Sequence, residues 1–370
     1  MYINLNSEST LMFIMLFFVF ILMGILPFLS RKEILFGIRI EKEMMDEQTM
    51  KGYTYKYIRR LLFLDAVLLI FLYLGSMHFP LEFVYTVVII GMIFIQGFSY
   101  ISVHLEVKRH KENFPVKAPE TVVVTTDEKI NGVDYPLASI FWFGIPLIIN
   151  AYMYIYNALI YQEIPEQLKV AFDFNGNIMR MVAKSPAKVF MIPHISLLTL
   201  LIFVFVYYAI KMSKKQLDAR KPNESKERVL RFRRIWSAWT ILMATILTTM
   251  FFMLNLLVIG KMNESKTFIT LIAIVPTFII VLSLIILAVY TGQGGSRLKV
   301  RSDEDFEKAN RNDDAYWKLG MFYVNKEDPS FMVEKRFGVG WTINLGNRKA
   351  VIGFVLAIVL LIAISILTSI

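Results

Sequence analysis

A chain of 370 residues in which 56% are hydrophobic and 14% aromatic, with a mean hydropathy of +0.54, holds more apolar surface than one soluble core can bury. It contains no cysteine, which excludes disulfides, thiolate metal sites and cysteine nucleophiles, and its histidines (His78, His104, His110 and His194) lack the spacing of a metal-binding helix. The net charge of +10 fits either nucleic-acid binding or the basic loops of a membrane protein, so its distribution has to decide.

In chain order, apolar runs matched to a hydrocarbon core about 30 Å thick occupy residues 11–29, 61–77, 81–104, 137–161, 189–210, 235–260, 267–290 and 351–370. The second is the shortest and carries Asp65. The loops after the first, third, fifth and seventh runs hold 8, 5, 10 and 11 of the 40 Lys and Arg residues, which leaves 6 elsewhere. Basic residues collect on the cytoplasmic side, so these loops lie inside and both termini lie outside. The expectation is an all-α polytopic protein of the bacterial plasma membrane, with about eight transmembrane helices and the lipid bilayer as its first partner. Basic charge spread over four juxtamembrane loops also removes nucleic acid as a direct partner. The tail "MYINLNSEST" has no basic residue, so the first run reads as a retained helix and not as a cleaved leader.

The inner loops carry structure of their own. Residues 31–60 look extended at first and then helical. In 105–136, "ETVVVTTDEK" is a strand signal. Residues 212–234 are polar and strongly basic, suited to a solvated linker or surface helix beside anionic lipid. Residues 291–350 alternate apolar and turn-forming stretches, which predicts a small cytoplasmic β-rich module paired with Val122–Val124. Its Trp317, Phe322, Tyr323, Phe331, Phe337 and Trp341 offer a face for a cytoplasmic partner, although the same aromatics would suffice to build the module's core.

No catalytic signature emerges. The glycines of "GQGG" (292–295) and "GVG" (338–340) lack the strand–turn–helix setting of a nucleotide site, and no serine sits in a nucleophile elbow. The chain is read as a non-enzyme with no catalytic residue, no metal and no cofactor. An unpaired Asp65 in mid-bilayer would cost at least about 2.5 kcal/mol. It is expected to pair with Arg59 and Arg60 at the inner edge, or to serve transport or proton binding. Asn150 and Asn157 lie seven apart on one helix face and read as glue between helices.

The outward loop "YQEIPEQLKVAFDFNGNIMRMVAKSPAKVFMIP" reads as an extended run, an Asn-Gly turn and a re-entry at Pro186. Its order of Tyr161, Ile164-Pro165-Glu166, Asn175-Gly176-Asn177, Lys184-Ser185 and Phe190-Met191-Ile192-Pro193 resembles the N-terminal module of the SdpI family, bacterial membrane proteins of toxin-immunity type. "LFGIRIEKE" (35–43) is similar to a segment recurring in the same set of proteins. Residues 313–347 are similar to a small cytoplasmic module of unknown function found beside it.

The resulting organisation has seven parts. They are an N-terminal three-helix region (1–104, with loop 31–60), a loop with a strand (105–136), an SdpI-like helix–loop–helix module (137–211, outward loop 161–187), a basic loop (212–234), a two-helix hairpin (235–290), the aromatic module (291–350) and a last transmembrane helix (351–370). The resemblance implies protection against, or sensing of, an envelope-active peptide, with a transcriptional regulator or other cytoplasmic protein as inner partner. The outer ligand would meet Asp173, Asn175, Gly176, Asn177, Arg180 and Lys184. The alternatives are a small-molecule transporter or permease, and a non-catalytic accessory membrane subunit.

Overall fold

The structure is a computed structural model that describes residues 7–40, 44–75, 77–114, 129–130, 133–134, 136–172, 176–215, 217, 222–262, 265–300 and 313–369. A helix stands at each of the eight apolar runs: α1 (Ser7–Leu29), α2 (Glu47–Gly75), α3 (Leu81–Glu112), α4 (Gly144–Leu159), α6 (Met191–Met212), α7 (Pro222–Val258), α8 (Lys266–Thr291) and α9 (Arg348–Ser369), with a single turn, α5 (Pro186–Val189), before α6. Among the described residues, five segments are long and apolar enough to cross a membrane: Phe83–Glu112, Ile140–Leu159, Met191–Met212, Asn223–Val258 and Lys266–Gly295. The protein is a multi-pass membrane protein. Large apolar side chains that would be unstable in water point outward along these helices, among them Phe94, Ile148, Phe205 and Ile286. Phe63 and Ile70 do the same on α2, and Leu356 and Val359 on α9.

Several helices run on past their apolar runs into basic sequence. The expected basic loop 212–234 is in large part the first turns of α7, which begins at Pro222. Helix α3 continues to Glu112 and ends with Arg109, His110 and Lys111, whose charge suits a helix C-terminus. Helices α2 and α3 form an antiparallel hairpin with close contacts at glycines: a methyl on Gly75 would touch Val84, and one on Gly91 would press into Leu68. Helix α7 packs against α4, α6 and α8 and is the central post of the second helical group.

The sheets are two-stranded antiparallel pairs. β1 (Ile34–Leu35) pairs with β2 (Ile38–Arg39) inside the first basic loop. β3 (Lys129–Ile130) pairs with β4 (Val133–Asp134), whereas the expected strand Val122–Val124 lies outside the described residues. The outward loop contains a full hairpin and not a plain turn: β5 (Gln167–Phe172) pairs with β6 (Ile178–Ala183), and a bulge lies between Lys169 and Phe172. After α8, β7 (Trp317–Lys318) pairs with β8 (Phe322–Tyr323), and β9 (Met332–Glu334) with β10 (Trp341–Ile343), giving the β-rich module that the turn signals anticipate.

The two-residue turn of the first hairpin is Phe36-Gly37, with φ of 45° and 81°. A primed turn suits strand twist, but it forces Phe36 into the left-handed region that bulky residues avoid. Packing compensates, since Phe36 is buried against Tyr57, Tyr100 and Phe337. Its carbonyl accepts hydrogen bonds from the Tyr100 hydroxyl at 3.1 Å and the His104 ring at 2.7 Å. A methyl on Gly37 would lie 2.5 Å from Cα of Gly320, the glycine at the β7–β8 turn, so the two turns meet backbone to backbone. Gly37→Ala is therefore expected to lower thermal stability in detergent by more than the roughly 1 kcal/mol of its dihedral strain. Gly52→Ala on α2, where nothing lies within 4 Å, is expected to be neutral or stabilising.

Candidate functional site

Polar side chains gather at three levels: the outer hairpin, the inner module and the interior of the α1–α2–α3 unit. At the outer end, Leu168 of β5 is buried with Ile164, Val189, Val258 and Ile259, which seats the hairpin across the end of α7. Gly176 carries its turn against the first residue of α8: an added methyl would sit 2.6 Å from the Lys266 carbonyl oxygen. Lys184 forms the clamp at the hairpin's base. Its ammonium donates to the Ile164 carbonyl at 3.0 Å and to Glu166 at 2.8 Å, and it lies over the Tyr161 ring. Ser185 then caps α5 with Pro186 in the first turn, an ordinary helix start. Beneath the clamp, Asn157 of α4 and Asn255 of α7 exchange two amide hydrogen bonds of 2.9 Å, and Asn157 also donates to Val189. Asn150 donates to the Pro193 carbonyl at 3.2 Å. Both asparagines of α4 thus join helices, each satisfying a group that hydrocarbon would leave unpaired.

Of the six residues proposed for an outer ligand, Asp173 and Asn175 lie outside the described residues. Gly176 and Lys184 build the hairpin, while Asn177 and Arg180 are exposed at its far end and along β6. Ile178, Met179 and Met181 of the same strand are exposed beside them, Met179 to 71%. Sequence reading passed over these three, although apolar side chains in an exposed loop were the available signal.

At the inner end the organising group is Arg336, only 1% exposed. It pairs with Asp313 at 2.5 Å and with Asp314, donates to the Gly37 carbonyl at 2.8 Å, and lies over the Trp317 ring. Lys111 at the end of α3 reaches the same Asp314 at 2.8 Å, and Arg39 approaches Asp313 at 3.5 Å. Burial pushes the Arg39 guanidinium below its ordinary pKa. Phe337 fills the space between Phe36, Tyr57 and Tyr100. The two glycine motifs that lacked a nucleotide setting meet each other here: the Gln293 amide donates to the Gly340 carbonyl at 2.9 Å and accepts from its N–H at 2.7 Å. Arg31 pairs with Glu334 beside them.

Of the aromatic face proposed for an inner partner, Trp317 and Tyr323 are buried in the module, and Trp341 packs on Phe232 and Trp236 of α7. Phe322 and Phe331 are exposed. Asp328 accepts from Lys214 at 2.6 Å and Tyr323 at 2.8 Å, which ties the module to the end of α6. Burial pushes the Asp328 carboxyl up, but hydrogen bonds from Lys214, Ser330 and Tyr323 outweigh it and hold the group below the usual carboxylate range. Asn344 bonds the Asn325 and Asp328 carbonyls, and Asn347 receives the Lys349 and Ala350 N–H groups at the start of α9.

On α2, Asp65 does not pair with Arg59 or Arg60 as expected. Arg60 turns instead to Ser102 and Glu106, and Asp65 is 4% exposed with no partner for either oxygen among the described residues.

Residues 326–351 match a family of unknown function, DUF5808. The match covers β9, β10 and the start of α9, and so contains Arg336, Asn344 and Asn347. No curated protein and no solved structure matches the chain.

Two measurements test the inner site. Arg336→Met leaves Asp313 and Asp314 short of a buried cation and is expected to cost about 3 kcal/mol or more, read as earlier proteolytic cleavage of residues 313–347 than in wild type. Asp328 has a lowered folded pKa, so its contribution is complete above the unfolded value of about 4 and fades as pH falls further. Asp328→Asn is expected to loosen the module at neutral pH and to remove that acid dependence in the same proteolysis assay.

Proposed function

We propose that the protein is an integral membrane protein of the SdpI-like immunity or sensory type, with eight spanning helices and both termini outside the bacterial plasma membrane. The observation that carries this reading is the course of α7. Its outer end packs through Val258 and Ile259 on the hairpin that carries the resemblance, and its inner end packs through Phe232 and Trp236 on Trp341 of the module. A ligand on the hairpin thus has one continuous, tightly packed helix between it and the inner module.

The ligand is an envelope-active peptide that meets Asn177, Ile178, Met179, Arg180 and Met181, together with Asp173 and Asn175. A face of mixed apolar and polar groups suits an amphipathic peptide. Gly176 and Lys184 position that face. Inside, Phe322 and Phe331 receive a cytoplasmic regulator, next to a groove lined by Val324, Lys326, Pro329, Leu345 and Arg348. The protein acts by binding and not by catalysis.

Cells making the Met179→Ala, Arg180→Ala and Asn177→Ala variants are expected to lose protection against a panel of envelope-active peptides while keeping wild-type amounts of protein in the membrane. A full set with unaltered protection removes the reading. The topology is tested separately in the cysteine-free chain. Lys169→Cys is expected to react with an impermeant maleimide on intact cells, and Lys318→Cys only after the membrane is opened.

A further inference from the structure

The α1–α2–α3 unit has two apolar clusters with a polar gap between them. Toward the inner side, Tyr57 and Leu61 of α2 pack with Tyr100, Val103, Val107 and Ile95 of α3. Toward the outer side, Leu68 and Leu72 of α2 pack with Val84, Val88 and Met92 of α3 and with Leu16 and Phe20 of α1. Asp65 falls between Leu61 and Leu68 on the same stripe of α2. The hairpin register puts the turn containing Gln96 and Ser99 at its level, because Arg60 bonds Ser102 on one side and Gly91 abuts Leu68 on the other.

Each of these three residues carries a buried polar atom with no partner among the described residues: both oxygens of Asp65, Nε2 of Gln96 and Oγ of Ser99. Three such groups at one level of a helical hairpin in hydrocarbon are costly together unless something occupies the space between them. Helix α1 supplies nothing, since residues 11–29 include no polar side chain.

The two ends of the gap differ. On the inner side the apolar cluster is flanked by polar positions that continue along α3 through Ser102 to Glu106, which Arg60 and Lys56 meet at 3.1 and 2.5 Å. On the outer side Leu72, Val84, Val88 and Met92 are buried and apolar. The titratable group that interacts with Asp65 is Tyr57, two turns inward on its own helix, while Arg60 and Glu106 are engaged with each other nearer the inner end. Tyr100 and His104 of α3 are bonded to the Phe36 carbonyl, and residues 11–29 of α1 include no titratable side chain.

We propose that Asp65, Gln96 and Ser99 form a proton-binding site inside the membrane, open toward Ser102 and Glu106 on the inner side and sealed on the outer side. The proton arrives from water as hydronium and neutralises the Asp65 carboxylate. Gln96 and Ser99 hold the water, or the carboxyl group itself, in place. The site does not depend on the hairpin's ligand.

The test uses the full chain reconstituted in vesicles and dicyclohexylcarbodiimide, an apolar reagent. The carboxyl proton goes to the reagent's nitrogen, the carboxylate oxygen bonds to its central carbon, and the adduct rearranges to a stable N-acylurea. The site of modification is located by peptide fragmentation. Modification at Asp65 is expected to fall in a single step as pH rises between about 5 and about 9. Asp65→Asn should abolish it, and Ser99→Ala and Gln96→Leu should move the step along the pH axis. In sealed inverted vesicles the step should follow the pH of the bath and not that of the lumen.

Modification that is constant across the range overturns the proposal, because a carboxyl that never exchanges its proton is only a buried structural group. Protection by sodium at fixed pH and ionic strength replaces the proton with a metal cation and also overturns it. Control by lumenal pH overturns the assignment of the sealed side. The wild-type titration decides the first point even if a variant fails to fold.

Discussion

A buried guanidinium holds the inner half of the molecule together. Taking a charge out of water costs several kcal/mol unless carboxylates and carbonyls replace the lost hydration. Arg336 collects those replacements from separate parts of the chain: Asp313 and Asp314 at the start of its own module, and the Gly37 carbonyl in the first basic loop. Arg39 and Lys111 complete the set by approaching the same two carboxylates. This set of ion pairs and hydrogen bonds seats the module on the first basic loop and the end of α3. The left-handed Phe36 and the meeting of Gly37 with Gly320 follow from the same docking, since the Gly37 carbonyl must face Arg336 while Phe36 fills the space beside Phe337.

The hairpin end of the second helical group works by a different chemistry. Asn157 and Asn255 are neutral, carry both donor and acceptor, and satisfy each other without any ionic desolvation. The one cation used there, Lys184, lies where its ammonium reaches a carbonyl, a carboxylate and an aromatic face together. The hairpin is thus fixed at its base and exposed along β6, a division that suits a surface which must be presented in one orientation.

Much of the helical frame was legible because hydrophobic length and basic charge are summed over many residues. Each of the eight expected runs contains a helix, and the strand pairs of 313–347 follow from alternating apolar and turn-forming stretches. The long-range pairings were not legible. Arg336 is one basic residue among many in its loop, and nothing local marks it as the one that will be buried opposite Gly37, 299 residues away. Asn255 is one of several polar residues in the apolar part of α7, and only the fold brings it to its partner 98 residues earlier. Gln293 and Gly340 belong to motifs that proximity in space alone explains. Asp65 shows the opposite limit: Arg59 and Arg60 are near in sequence, but Glu106 lies on the facing helix and takes Arg60 first.

The basic residues that orient the chain also close its helices. A helix that runs inward presents its C-terminus, with unpaired carbonyls and the negative end of its dipole, at the inner face. The loops that follow such helices are the basic ones, and their cations are found on those carbonyls. Arg233 donates to Ile210 at 3.0 Å and also to Lys211 at the end of α6. Arg297 bridges the Val289 carbonyl of α8 and the Phe28 carbonyl of α1, each at 2.9 Å. Helix α3 ends in a basic turn that suits its own dipole, and its Lys111 reaches the Arg39 carbonyl of β2 at 2.9 Å. An arginine at these positions satisfies two requirements at once, since a neutral donor could bond the carbonyls but could not bias insertion. A lysine far from any helix end would bias insertion and leave the carbonyls unpaired. These hydrogen bonds lie within the chain and hold in either orientation, so the residues that close the helix ends serve stability whichever way the chain inserts.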